Sequence, residues 1–130
     1  MKHPTLLLDS HMLIWGAFEP QRLKGHAYAM ILDAETIMVS QISLIELSLK
    51  YAKGKLQYAP ADLYEAVESL RASILPIEQN HLSLLASIQL AHKDPFDRLL
   101  IAQAQSENLP LLTADQTLLD SPYPTIDART

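Results

Sequence analysis

The chain has 130 residues, 48% hydrophobic and 19% charged, with 15 acidic residues against 10 basic ones and no cysteine. This length suits a single domain, residues 1–130, with a sizeable core. The absence of cysteine excludes disulfides, thiol nucleophiles and cysteine-based metal sites, and a formal net charge of −5 argues against holding nucleic acid by bulk electrostatics alone.

The first element, "TLLLD" at residues 5–9, is a short apolar run closed by an acid and predicts a buried strand. An acid and a histidine interrupt the amino-terminal apolar stretch, which is too short and polar for a signal segment. No run is long enough to span a bilayer, so the expectation is a cytoplasmic protein without a membrane partner. Residues 10–16 and 25–34 read as helices. "TIMVS", Thr36–Ser40, is β-branched and apolar, hence a strand. "SLIELSLKYAKGKL" places Leu44, Leu47 and Tyr51 at helical spacing, with Gly54 positioned to end that helix. Residues 61–72 form a further helix, with Pro60 suited to its first turn.

"ILPI" at residues 74–77 predicts a short strand, followed by a helix over 79–90. Residues 94–108 carry Leu99, Leu100, Ala102 and Ala104 as the apolar body of a helix. "LPLLTAD" at 109–115 is a strand ending in an acid, and "YPTID" a last strand. Short apolar strands alternating with helices mean βαβ units. The expected fold is therefore a three-layer α/β/α domain with a mainly parallel central sheet.

In such sheets ligands bind beyond the carboxyl ends of the strands. Asp9 and Asp115 stand at such ends, Glu46 lies a turn into the helix after "TIMVS", and Asp97 lies in the first turn of the helix near Pro95. Carboxylates that converge repel, by roughly 4 kcal/mol per pair at about 4 Å and an effective dielectric near 20. Protons or a divalent cation must neutralise such a cluster, and an all-oxygen donor set suits Mg²⁺ or Mn²⁺ rather than zinc. Each acid also has a local reading. Asp9, Asp94 and Asp115 can cap helices, and Glu46 can be a solvated face residue, paired with Lys50 four residues on. Asp94, Pro95 and Asp97 match N-cap, N1 and N3 of a helix start. Asp97 is one carbon shorter than the Glu usual at N3, which leaves it freer to point elsewhere.

The segments "LLLDSHMLIW", "VSQISLIELSLKYAKGKL" and "DPFDRLLIAQAQSENLPLLTAD", in this order and spacing, resemble the PIN domain, in the subgroup of VapC-type toxins of bacterial toxin–antitoxin pairs. The resemblance runs from Leu6 to Asp115. It implies a Mg²⁺- or Mn²⁺-dependent endoribonuclease whose metal is held by Asp9, Glu46 and Asp97, with Asp115 in support. Asp94 matches the extra acid of "DPFDR", Ser10 stands where the subgroup usually has Thr, and Thr113 matches a hydroxyl at the edge of the site; Ser10 and Thr113 would bond metal waters or RNA phosphate. Lys50, Lys93 and Arg98 would contact RNA, while Lys53 and Lys55 read as a solvated helix end. His11 and His92 lie near the acids without a required role, and Trp15 either stacks on a base or belongs to a core or interface. A small antitoxin partner and a homodimer are implied as well, with Met12, Leu13, Ile14, Trp15, Ile42, Leu44, Ile45 and Tyr51 as apolar surface to share between core and partner.

Two other classes fit poorly. A receiver domain wants an acid pair after the first strand, and a haloacid-dehalogenase-type phosphatase wants Asp-x-Asp there; this chain has Asp-Ser-His. The remaining alternative is a non-catalytic PIN-fold module that binds RNA or protein, against which stands the presence of all four acids.

Overall fold

A computed structural model of the chain describes residues 5–23, 25–88 and 94–129. Five strands, β1 (Thr5–Leu8), β2 (Thr36–Ser40), β3 (Ala72–Leu75), β4 (Leu111–Thr113) and β5 (Thr125–Asp127), make one sheet in the order β3-β2-β1-β4-β5. Every pairing is parallel, so the expected mainly parallel sheet is parallel throughout. The chain builds outward from β1 through β2 to β3, then crosses back to place β4 on the other flank of β1. That reversal opens a crevice between the carboxyl ends of β1 and β4, the place where open parallel sheets bind ligands.

Side chains alternate across the sheet with the period of two that a strand imposes. Leu6, Leu8, Ile37, Val39 and Leu112 face one way, into a core with helices α1 (Ser10–Phe18), α2 (Ala27–Asp33), α3 (Gln41–Ala52) and α4 (Pro60–Ser69). Leu7, Leu75 and Leu111 face the other way, toward α6 (Pro95–Glu107) and α7 (Gln116–Leu119). The helix α5 (Gln79–Leu85) packs along α6 on that side. This gives the three layers. Burying a leucine in such a layer stabilises by about 2 kcal/mol, and Leu6, Leu7 and Leu8 are all fully buried.

Helix starts follow their caps closely. Asp9, Ser40, Asp94 and Asp115 each accept a backbone N–H of the helix they precede. Several ends differ from expectation. Gly16 does not stop α1, which runs on to Phe18 because Ala17 and Phe18 pack on the core. Gly25 adopts φ +56° and stays outside α2, which starts at Ala27, while Pro20–Arg22 form an extra 3₁₀ turn. α4 stops at Ser69, not 72: Arg71 takes φ +54°, turning the chain so that β3 begins at Ala72 rather than 74. α5 ends at Leu85, where Ser87 and Ile88 bond back to Leu84 and Leu85 in a turn. The rest of the expected 79–90 helix, with His92 and Lys93, lies outside the described residues. β4 is three residues long, leaving Ala114 and Asp115 to turn over the sheet edge.

Candidate active site

Four separate segments bring acids to one end of the sheet. Asp9 follows β1, Asp115 follows β4, Glu46 projects from the second turn of α3, and Asp97 occupies the first turn of α6. Together with Asp94, Ser10, His11 and Lys50 they line a recess of about 130 Å³. The register explains the convergence: Leu8 is level with both Val39 and Leu112, so β1, β2 and β4 finish at one height.

Asp9 is the most constrained of the group. It is buried, its Oδ1 accepts the backbone N–H of Met12 at 2.9 Å, and its Oδ2 accepts the Thr113 hydroxyl. Burial raises its pKa above the ordinary carboxylate value; the two hydrogen bonds and His11 pull the other way, and Asp115 adds repulsion. Thr113 also accepts the Asp115 backbone N–H at 3.0 Å, and Asp115 accepts from Thr117 at 2.8 Å. One hydroxyl therefore ties the two strand-end acids together. Glu46 accepts the Ser10 hydroxyl at 2.6 Å and pairs with Lys50 at 3.6 Å. Asp94 Oδ1 caps α6, accepting from Phe96 at 2.9 Å and Asp97 at 3.4 Å, and the residue lines the recess besides.

Ser10 and Thr113 are buried with their hydroxyls donated to Glu46 and Asp9, which orients those carboxylates. Arg98 is half-buried, donates to the Ile88 carbonyl at 2.9 Å and has its Nε enclosed. Of the apolar residues left to be shared between core and partner, Met12, Leu13, Ile14 and Leu44 are core, whereas Ile45 and Tyr51 are exposed. Lys53 and Lys55 are exposed at the end of α3.

Carboxylates dominate the donors of the recess, with the His11 imidazole and the Ser10 hydroxyl also on its wall, and a set so rich in carboxylate oxygens fits a hard divalent cation. Among the described residues, three metal-capable side chains with ligand atoms within 4.8 Å of one another occur at Glu78, His81 and Glu107, not among these four acids. That second cluster, unforeseen in the sequence, could hold an ion on distance alone. Its hydrogen bonds oppose it. His81 Nδ1 accepts the Glu78 backbone N–H at 3.0 Å and faces Gln103 Nε2 at 3.4 Å, so the ring proton belongs on Nε2, donated to Glu107 Oε2 at 2.9 Å. Binding a metal through Nε2 would move that proton to Nδ1, against two N–H donors. We read the cluster as a clamp, centred on buried His81, that joins α5 to the far end of α6. Gln103 extends it, accepting from Ser40 and donating to the Pro76 carbonyl at 3.2 Å. The hint in sequence is a glutamine between Ala102 and Ala104 on the apolar face of that helix.

A family model described as PIN domain matches residues 6–121. The chain is 33% identical over 125 residues to Ribonuclease VapC22 of Mycobacterium tuberculosis (strain ATCC 25618 / H37Rv), covering 92% of this chain and 94% of that protein. Among solved structures it is similar to VapBC2 from Rickettsia felis bound to a DNA fragment from their promoter, with a TM-score of 0.68 at 16% identity over 95% of this chain and 98% of that one. It is also similar to VapBC-5 from Mycobacterium tuberculosis, a member of the VapBC family of toxin–antitoxin systems, with a TM-score of 0.61 at 18% identity over 98% of this chain and 100% of that one. Identities this low speak for the fold alone.

Proposed function

The chain belongs to the PIN-domain family, and on that premise we propose that it is an endoribonuclease, dependent on Mg²⁺ or Mn²⁺, acting as the toxin of a toxin–antitoxin pair. The observation that carries this reading is the recess itself: acids from four segments far apart in sequence share one crevice at the β1–β4 reversal. Asp9, Glu46 and Asp97 would hold the ion, with Asp115 in support. When bound, such an ion activates water and stabilises charge on a phosphate under attack.

The chain's own groups prepare that chemistry. Thr113 and the Met12 N–H fix both oxygens of Asp9, and Ser10 fixes one oxygen of Glu46, so little reorganisation is left for the reaction. Asp94 anchors the first turn of α6 and thereby the backbone that carries Asp97. Lys50, on the rim, exchanges Glu46 for an RNA phosphate when substrate arrives. The substrate is single- or double-stranded RNA in the cytoplasm, and the partner a small antitoxin. The exposed Ile45 and Tyr51 of α3 provide apolar surface for that antitoxin or for a second copy in a homodimer.

Purified chain, free of any partner, should cut total RNA when Mg²⁺ or Mn²⁺ is present and stop when EDTA is added. Asp97→Asn should remain folded and uncut RNA should persist. RNA bound by the parent without metal-dependent cleavage would replace this reading with the binding-module one; cleavage that survives EDTA would overturn the metal assignment.

A further inference from the structure

Beside the acid recess lies a second cavity, of about 230 Å³, lined by Asp9, His11, Trp15, Ala114 and Asp115. It shares Asp9, His11 and Asp115 with the recess, so the two spaces have a common wall. We infer that this cavity receives the nucleobase flanking the scissile phosphate, with Trp15 as its stacking surface. The inference rests on the nuclease reading above and adds a subsite to it.

Trp15 lies one turn and a half beyond Asp9 on α1 and is half-buried, its indole packed against the core on one side. His11, four residues earlier on the same face, sets its ring 5.7 Å away at 47°. The Arg22 guanidinium lies 5.2 Å from the indole centroid and is itself paired with Glu19 at 3.3 Å. The core and His11 hold the indole in place, and the exposed Arg22 guanidinium over the ring is the group that an entering base displaces, so the aromatic wall itself needs little ordering on binding. The chemistry of the lining selects the occupant. The carboxylates of Asp9 and Asp115 repel an anion; Asp9 is engaged by Met12 and Thr113, and Asp115 is the acceptor for N–H donors, which ring nitrogens and exocyclic amines of bases supply. A phosphate is rejected here and a neutral planar heterocycle is accepted. Because every base has a π-face, such a subsite orients the strand with modest sequence preference.

Trp15 is the single tryptophan of the chain, so its emission reports on this cavity alone. Short single-stranded oligoribonucleotides added to the cleavage-dead Asp97→Asn protein should quench that emission saturably. In the otherwise unaltered enzyme, Trp15→Leu should raise KM for RNA about tenfold with kcat within about twofold, and Trp15→Phe should restore most of the loss. Oligonucleotide binding seen by anisotropy of a labelled strand, with no change in tryptophan emission, would overturn the subsite. So would an unchanged KM in a folded Trp15→Leu enzyme. If the parent cuts no RNA, the nuclease reading fails separately, and the quenching titration still decides the subsite: saturable quenching supports it and unchanged emission overturns it.

Discussion

Replacing Asp9 by Asn should abolish cleavage while making the metal-free protein more stable. The parent buries a carboxylate whose desolvation costs several kcal/mol, only partly offset by bonds from Met12 and Thr113. Asn keeps an oxygen for the Met12 N–H and turns its amide toward Thr113, giving up about 1 kcal/mol of charge assistance at each bond. The balance favours Asn by about 1 to 2 kcal/mol at neutral pH. Asp9→Ala is different. It loses the cap of α1, about 1 kcal/mol, and strands a buried hydroxyl, about 1 to 3 kcal/mol, so it should fall about 2 to 4 kcal/mol below Asn. Thermal melts in EDTA resolve this, at roughly 3 to 5 °C per kcal/mol for a domain of this size. The pH dependence has a fixed sign. A carboxyl whose pKa is higher folded than unfolded binds its proton more readily in the native state, so the parent gains stability as pH falls through the folded pKa toward the unfolded value. The gap between Asn and parent should close over that window, and divalent ions at neutral pH should close it as well. An Asn protein that melts at or below the metal-free parent at pH 7 would refute the burial argument.

Asp94→Asn should retain most of the capping and much of the cleavage, whereas Asp97→Asn should lose at least about a hundredfold in rate with an unchanged melt; equal losses would mean the pair has been divided wrongly. Lys50→Met should change stability by less than about 1 kcal/mol, since its pair with Glu46 is partly exposed, and should raise KM in a salt-dependent manner. Gln103→Leu leaves the Ser40 hydroxyl and the Pro76 carbonyl without their partner and should cost about 2 to 4 kcal/mol by denaturant titration. Gly54→Ala should cost about 1 kcal/mol through backbone strain alone, because φ is +72° and an added Cβ meets nothing within 4 Å.

Sequence revealed most where the governing chemistry is local. Asp94 before Pro95 and Ser40 before "QISL" announce helix starts because an N-cap needs only its own next residues, and both caps form. The strand-end positions of Asp9 and Asp115 follow from short apolar runs closed by an acid, which is why the recess could be anticipated. Helix ends were less legible. Arg71 enters the left-handed region without being glycine or asparagine, so nothing in the sequence marks the stop of α4. The roles of Ser10 and Thr113 depended on which carboxylate stood opposite, 36 and 104 residues away, a matter of tertiary placement. The Ser40–Gln103–His81–Glu107 chain was hidden for the same reason, since each member alone reads as an ordinary polar residue.

The order in which β4 joins the sheet bears on how the protein comes into being. β1, β2 and β3 can pair as soon as residues 5 to 75 exist, yet Asp9 then faces no Thr113 and no Asp115. A nascent or truncated chain lacking the last segments therefore carries a lone buried-to-be carboxylate, still solvated, and no complete constellation of acids. Under the nuclease reading, a chain still being made is harmless until residues 111–115 have emerged and β4 slots in beside β1.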